Sequence, residues 1–351
     1  MTTGWSHRRA ALRLLAPVVA ILAAMGGAVL AAAALSPGPP GAPPPDPERW
    51  ARPAADRLAA AGLWPELAGA DLGRDVVRAD LDRAVAILTG LPAADPAPAA
   101  PASAWVVNRR IVAALGLEPE RLALQALATD DGRRLALPPN FGSEVLVREL
   151  GLVHNRRRDD LERAMREPAR MADLASMVDR ARALTPEDRL RVARFRDIRL
   201  PAMDARRLAV VRAVLSQVGQ PYVWGGDWPT PRSPVGLQAH GGFDCSGLAW
   251  WAFEAAGRGG ALSRRTADAM AWERPRQRLR VDELGPGDLV FFADRGRRAK
   301  RGTISHMGIV LGNGWMAQSS GSRAGVSVTF LPDYWPEGQA FGRRVAELAP
   351  T

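Results

Sequence analysis

Cys245 is the only cysteine in 351 residues, so no internal disulfide can staple this chain and no multi-thiolate zinc site can organise it. The fold has to rest on buried apolar surface. A solitary cysteine is most often a small buried hydrophobe, but the flanks of this one argue for chemistry. Gly241 and Gly242 lead into Phe243-Asp244-Cys245-Ser246-Gly247, and the run from Leu248 to Ala256 then reads as a helix stopped by Gly257. Asp244 is a natural N-cap, which places Cys245 in the first turn. The positive end of the helix dipole is expected there to lower the thiol pKa and give a nucleophilic thiolate.

A nucleophilic thiol needs a base, and the chain offers His7, His154, His240 and His306. His7 lies in a basic leader and His154 beside Arg156, Arg157 and Arg158, where solvation is expected. His240 sits in a loop rich in glycine and proline, which fixes an imidazole poorly. His306 opens the strand-like run Met307-Gly308-Ile309-Val310-Leu311, which ends at the hairpin signal Gly312-Asn313-Gly314 and returns as Trp315-Met316-Ala317-Gln318. With the turn centred on Gly312, His306 lies opposite Gln318 and both share a face of the sheet. Gln318 would then hold the imidazole in one tautomer, the third role in a cysteine–histidine–polar arrangement. A two-residue turn on Asn313-Gly314 shifts this register.

Five blocks in order resemble the NlpC-type cell-wall peptidases, papain-like cysteine enzymes of bacterial envelopes. They are Gly219-Gln220-Pro221-Tyr222-Val223-Trp224-Gly225-Gly226, Phe243 to Leu248, Arg265-Thr266-Ala267, Leu284 to Phe292, and Ser305 to Gly314 followed by Gln318. The resemblance implies an α+β catalytic domain over about 205–347, in which the cysteine-bearing helix packs on an antiparallel sheet. It implies Cys245 as nucleophile, His306 as general base and acid, and Gln318 as the orienting group where histidine is usual. By the same resemblance Tyr222 faces the nucleophile, Asp244, Ser246 and Ser305 grip the ends of a short wall peptide, and Arg265 matches an arginine of the family. Plainer roles stand beside these: a helix cap for Asp244, core for Tyr222, a surface charge for Arg265. The sequence departs from the family in a longer, Pro/Gly-rich stretch from Asp227 to Gly242, and at Arg264 and Met270. These departures bear on substrate preference rather than on reaction class.

Residues 1–13 carry His7, Arg8, Arg9 and Arg13 and no acid, and Leu14 to Leu35 then runs 22 residues without a charge. That is long enough to span a membrane, while the alanines at 31–34 offer cleavage sites, so residues 1–35 read as a signal peptide or an N-terminal membrane anchor. Either one sends the rest of the chain outside. A single cysteine fits an oxidising compartment, where a retained thiol points to chemistry. Residues 36–47 form a Pro-rich linker, and residues 48–200 a mainly helical region of unassigned role. Within that region, Thr185-Pro186-Glu187-Asp188 marks a helix start.

The net charge of +10 comes chiefly from arginine and includes the dense loop from Arg295 to Arg301. For an exported chain, anionic wall polymers or lipid headgroups are more fitting partners than nucleic acid, and none of the latter is expected. No phosphate-cradling loop, zinc spacing or dinucleotide fingerprint occurs, so the chemistry calls for neither metal nor organic cofactor.

The expected function is an exported peptidoglycan endopeptidase that cuts stem peptides. By resemblance, its bond joins D-γ-glutamate to a diamino acid. Two rivals come from other classes: a wall-binding or scaffolding protein that has lost activity, and an amidase or acyltransferase using the same thiol.

Overall fold

Thr185 starts a helix for the reasons its neighbours give. Its hydroxyl accepts from the Asp188 N–H at 3.2 Å, the Asp188 carboxylate accepts from the Thr185 N–H at 2.9 Å, and Pro186 occupies the first turn. Similar local logic ends the helix Ala104–Ala114 near Gly116, whose φ of 74° suits a residue without a β-carbon. The structure is a computed structural model that describes residues 47–92, 100–129, 134–156, 158–263, 266–345 and 348. The leader, the linker as far as residue 46, and Arg265 lie outside the described residues. Among the described residues no helix is long and apolar enough to cross a membrane.

The helices are α1 (Arg52–Ala60), α2 (Arg78–Thr89), α3 (Ala104–Ala114), α4 (Glu118–Ala126), α5 (Phe141–Glu149), α6 (Met171–Arg182), α7 (Pro186–Ala193), α8 (Ala205–Leu215), α9 (Cys245–Ala255) and α10 (Ala267–Trp272). The strands are β1 (Asp227–Trp228), β2 (Arg232–Ser233), β3 (Gly236–Leu237), β4 (Gly242–Phe243), β5 (Arg278–Leu279), β6 (Leu289–Phe292), β7 (His306–Gly312), β8 (Trp315–Ser320), β9 (Gly325–Phe330) and β10 (Gln339–Arg343). β5 to β10 build an antiparallel sheet in the order β5-β10-β6-β7-β8-β9, while β1–β4 and β2–β3 are separate short pairs. With α9 packed on β7 and β8, the architecture is α+β, the class the sequence pattern implies.

β6 reads Leu-Val-Phe-Phe without alternation because both faces of the sheet are covered. Leu289 and Phe291 enter the main core, while Val290 and Phe292 join Val310, Met316 and Leu331 on the opposite face. The main core is continuous from the helical region into the sheet: Leu58, Phe141, Val145 and Leu174 belong to the same cluster as Leu289, Ile309, Val326 and Val328. Glu48–Thr351 accordingly form one compact unit.

α5 is the helix through which the two halves meet. Every residue of it is buried, and it packs on β9. Arg148, near its end, donates through Nη2 to Gly219 O at 2.7 Å and through Nη1 to Arg323 O at 3.3 Å and to Ala324 O. Its Nε lies 3.7 Å from Glu144 Oε2, and Glu144 Oε1 accepts from Asn108 at 2.8 Å. A buried guanidinium is tolerable only with partners of this kind.

Replacing Arg148 with methionine leaves these carbonyls unpaired and Glu144 without its counter-charge. Urea unfolding should show a loss of about 3–5 kcal/mol. Arg57→Met, which breaks an exposed pair with Asp179, should cost at most about 1 kcal/mol.

Candidate active site

α9 begins where the sequence places it. Asp244 caps it: Oδ1 accepts from the Gly247 N–H at 2.7 Å and from Ser246 Oγ at 2.9 Å, and Oδ2 accepts from the Gly225 N–H at 3.1 Å. Cys245 is the first helical residue. The first turn is pressed against the segment that carries Tyr222, since a β-carbon at Gly247 would lie 2.0 Å from Gly226 O. Tyr222 bridges to Phe243, and the Asp244 N–H donates to Gly226 O at 2.9 Å. Thus the tyrosine block and the cysteine block are held side by side by backbone bonds.

His306 opens β7 and pairs with Phe292 of β6. The β7–β8 hairpin turns on Asn313-Gly314, with Gly312 opposite Trp315, Val310 opposite Met316 and Ile309 opposite Ala317. A register shift between Val310 and Gly312 absorbs Leu311 as a bulge. The turn centred on Gly312 is therefore corrected. On this register Gly308, rather than His306, falls beside Gln318, and a β-carbon at 308 would lie 3.7 Å from Gln318 Cβ. The bulge keeps both residues on the same face, and the missing side chain at 308 lets the ring lean across. His306 Nε2 and Gln318 Oε1 meet at 2.6 Å.

The thiol is partly exposed, yet its surroundings are dry enough to matter. Burial, followed by the Asp244 carboxylate, pushes the Cys245 pKa up to about 12, opposed by the backbone N–H groups of Met307, Ser246 and Cys245 itself. Burial lowers the His306 pKa to about 4, against the pull of the Gln318 bond. Both groups are therefore uncharged near neutrality, a thiol at Cys245 and a neutral imidazole at His306. That direction runs against the expected thiolate: burial disfavours charge on the sulfur, and the carboxylate that caps the helix repels it as well.

The structure gathers Tyr222 with Cys245 and Asp244, since burial and then the charges of those two residues hold the Tyr222 pKa above its ordinary value. Asp244 and Ser246 are turned toward each other, as the cap geometry shows. Ser305 is exposed, and its N–H donates to Phe292 O at 3.0 Å. His240 Nδ1 contacts Gly241 O at 2.6 Å, within its own loop.

Sequence reasoning missed Tyr334. Its ring lies 5.5 Å from that of His306 and 5.3 Å from that of Phe292. The available signal was scarcity: the chain has only two tyrosines, and both stand at this site. Also unforeseen, Asp159 of the helical region reaches the rim, where its Oδ2 accepts from the Trp224 N–H at 3.1 Å. No cluster of metal-ligating side chains occurs among the described residues.

Residues 219–342 match the model of the NlpC/P60 family. The murein DD-endopeptidase MepH of Escherichia coli is 37% identical over 133 residues, which cover 38% of this chain and 43% of that protein. The peptidoglycan endopeptidase RipB of Mycobacterium tuberculosis is 36% identical over 135 residues, 37% of this chain and 51% of RipB. The bifunctional muramidase/DL-endopeptidase CwlT of Bacillus subtilis is 36% identical over 136 residues, 38% of this chain and 35% of CwlT. The chain thus spans about half or less of the length of these relatives, and the family match begins beyond the helical region.

A neutral resting pair predicts a specific reactivity. Alkylation of Cys245 by iodoacetamide should be slow near neutrality and keep rising between about pH 6 and 10. A flat profile across that range would instead reveal a preformed thiolate–imidazolium pair.

Proposed function

We propose that the NlpC/P60 domain at residues 219–342 makes this chain a peptidoglycan endopeptidase acting by cysteine chemistry. The observation that carries the reading is the 2.6 Å bond between His306 Nε2 and Gln318 Oε1, in a chain whose single thiol opens α9, the helix packed on β7 and β8. With Nε2 engaged as a donor, Nδ1 is the nitrogen left to take the thiol proton. Cys245 then attacks the peptide carbonyl as His306 accepts that proton, and the imidazolium returns it to the leaving amine. Water, deprotonated by His306, releases the acid from the thioester. We assign the oxyanion to the Cys245 N–H at the start of α9, with the protonated phenol of Tyr222 as a second donor.

Because the resting pair is neutral, charge separates only as the carbonyl carbon is attacked. Asp244, Ser246 and Ser305 are assigned to the peptide's ends by the family resemblance, and Arg265, which matches a family arginine, to substrate binding. The names of the relatives point to two different bonds, one DD and one DL. We assign this chain the D-γ-glutamyl–diamino acid bond that its motifs imply, with the DD cross-link as the competing product. The exposed basic loop at Arg295, Arg297, Arg298 and Lys300 fits anionic wall polymers. The reading places the domain outside the cytoplasm, delivered by residues 1–35.

Purified peptidoglycan digested by the chain from Asp46 onward should release stem-peptide fragments cut after D-glutamate, identified by mass spectrometry. Cys245→Ala and His306→Ala should each release essentially none while keeping the folded circular dichroism spectrum. Hydrolysis at the wild-type rate by either variant would sink the assignment, and cross-link products alone would move the bond to the DD position.

A further inference from the structure

The bond between His306 and Gln318 is the visible end of a longer chain of hydrogen bonds. The other end of the Gln318 amide, Nε2, donates to Thr329 Oγ1 at 3.0 Å. The Thr329 hydroxyl donates to Glu149 Oε2 at 3.0 Å. Glu149 is the last residue of α5, in the helical region far upstream in sequence. Its Oε1 accepts from Arg323 Nη2 at 3.1 Å and lies 3.2 Å from Arg191 Nε. Gln318 and Thr329 are fully buried and Glu149 is 1% exposed, so water does not substitute for any of these partners.

Such a chain has a direction, and only one of its members sets it. A neutral imidazole has two tautomers, an amide can be turned end for end, and a hydroxyl has one proton to place. An ionised carboxylate can only accept. Burial, helped by the Asp333 charge, holds the Glu149 carboxyl above its ordinary range, against the pull of Arg323, Arg191 and the Thr329 hydroxyl. With donors addressing both of its oxygens, the acceptor-only form is the one the geometry fits.

Thr329 therefore spends its proton on Glu149 and can only accept from Gln318. Gln318 must then present its NH2 group to Thr329 and its carbonyl oxygen to His306. That oxygen in turn requires a proton on Nε2 and leaves Nδ1 bare. A flipped amide would need the Thr329 proton for itself, leaving Glu149 Oε2 without a donor in a dry site, which is costly.

We propose that Glu149 and Thr329 are positioning residues: together they orient the Gln318 amide and so fix the tautomer of His306, which makes the helical region part of the active-site machinery. The proposal rests on the reading of His306 as general base. It gives the region outside the family match a defined task, delivered through one carboxylate at the end of a buried helix.

The test reads the tautomer directly, in the full chain labelled with 15N-histidine, by long-range proton–nitrogen spectra near pH 7.5. His306 is uncharged there, and its signals are assigned by their absence in His306→Gln. The wild type should show protonated Nε2 and bare Nδ1. Thr329→Val, which keeps the shape of the side chain but offers no acceptor, should shift His306 toward a mixture of tautomers, and Thr329→Ser should restore the wild-type pattern. Glu149→Gln, which lets the hydroxyl reverse, should shift it as well and serves as the second variant if Thr329→Val does not fold.

In turnover, Thr329→Val should lower kcat by roughly 10- to 100-fold, part of the 10²–10⁴ that a positioned acid–base group contributes, with KM little changed. An unchanged His306 tautomer in the folded variants overturns the relay whatever the wild type does to the wall. A tautomer shift in a chain that digests no wall peptide upholds the relay and removes the peptidase reading.

Discussion

Two consecutive charged side chains at the end of one buried helix, Arg148 and Glu149, tie this molecule together. Arg148 grips the carbonyls of Gly219, Arg323 and Ala324, the ends of the two loops that flank β9 and the Tyr222 segment. Glu149 reaches Thr329 on β9 and the Arg323 guanidinium. Charges so deep in a protein are costly unless each hydrogen-bonding position is met, which makes their geometry exacting. The helical region is consequently built into the sheet, sharing one core with it rather than being tethered to it.

The same low-polarity environment governs the chemistry. It raises the thiol of Cys245, lowers the imidazole of His306 and strengthens the bonds that orient them. A dipole at the start of α9 would favour a thiolate in isolation, but Asp244, needed to cap that helix, supplies an opposing charge. One residue serves the fold and restrains the nucleophile. Tyr334 and Phe292 close the far side of His306 with aromatic surface, so the ring is packed as well as hydrogen-bonded.

Much of the site was legible where chemistry is local. The Asp244 cap, Cys245 at the head of an apolar helix, and the turn residues after β7 all act within a few positions of themselves, and short-range sterics and hydrogen bonding express them directly. The pairing of His306 with Gln318 was also foreseeable, because a hairpin puts neighbours in sequence onto one face. The register was not: a bulge at Leu311 shifted it, and the contact survived because position 308 is glycine and leaves room for the ring. The direction of the thiol pKa was not legible, because burial and a neighbouring carboxylate, which raise it, depend on everything packed around the helix.

The amino-acid sequence by itself determined the α+β class, the helix that Cys245 opens, the hairpin that carries His306 and Gln318, and the family match of residues 219–342, because each is carried by contiguous motifs. Only the tertiary structure decided what stands behind them. Glu149 lies 180 residues from Thr329, and no periodicity or spacing links an acid at the end of one helix to a threonine in a distant strand. Their meeting depends on how α5 is buried against β9. That packing is a collective result of the whole core, and it settles which way a single amide points.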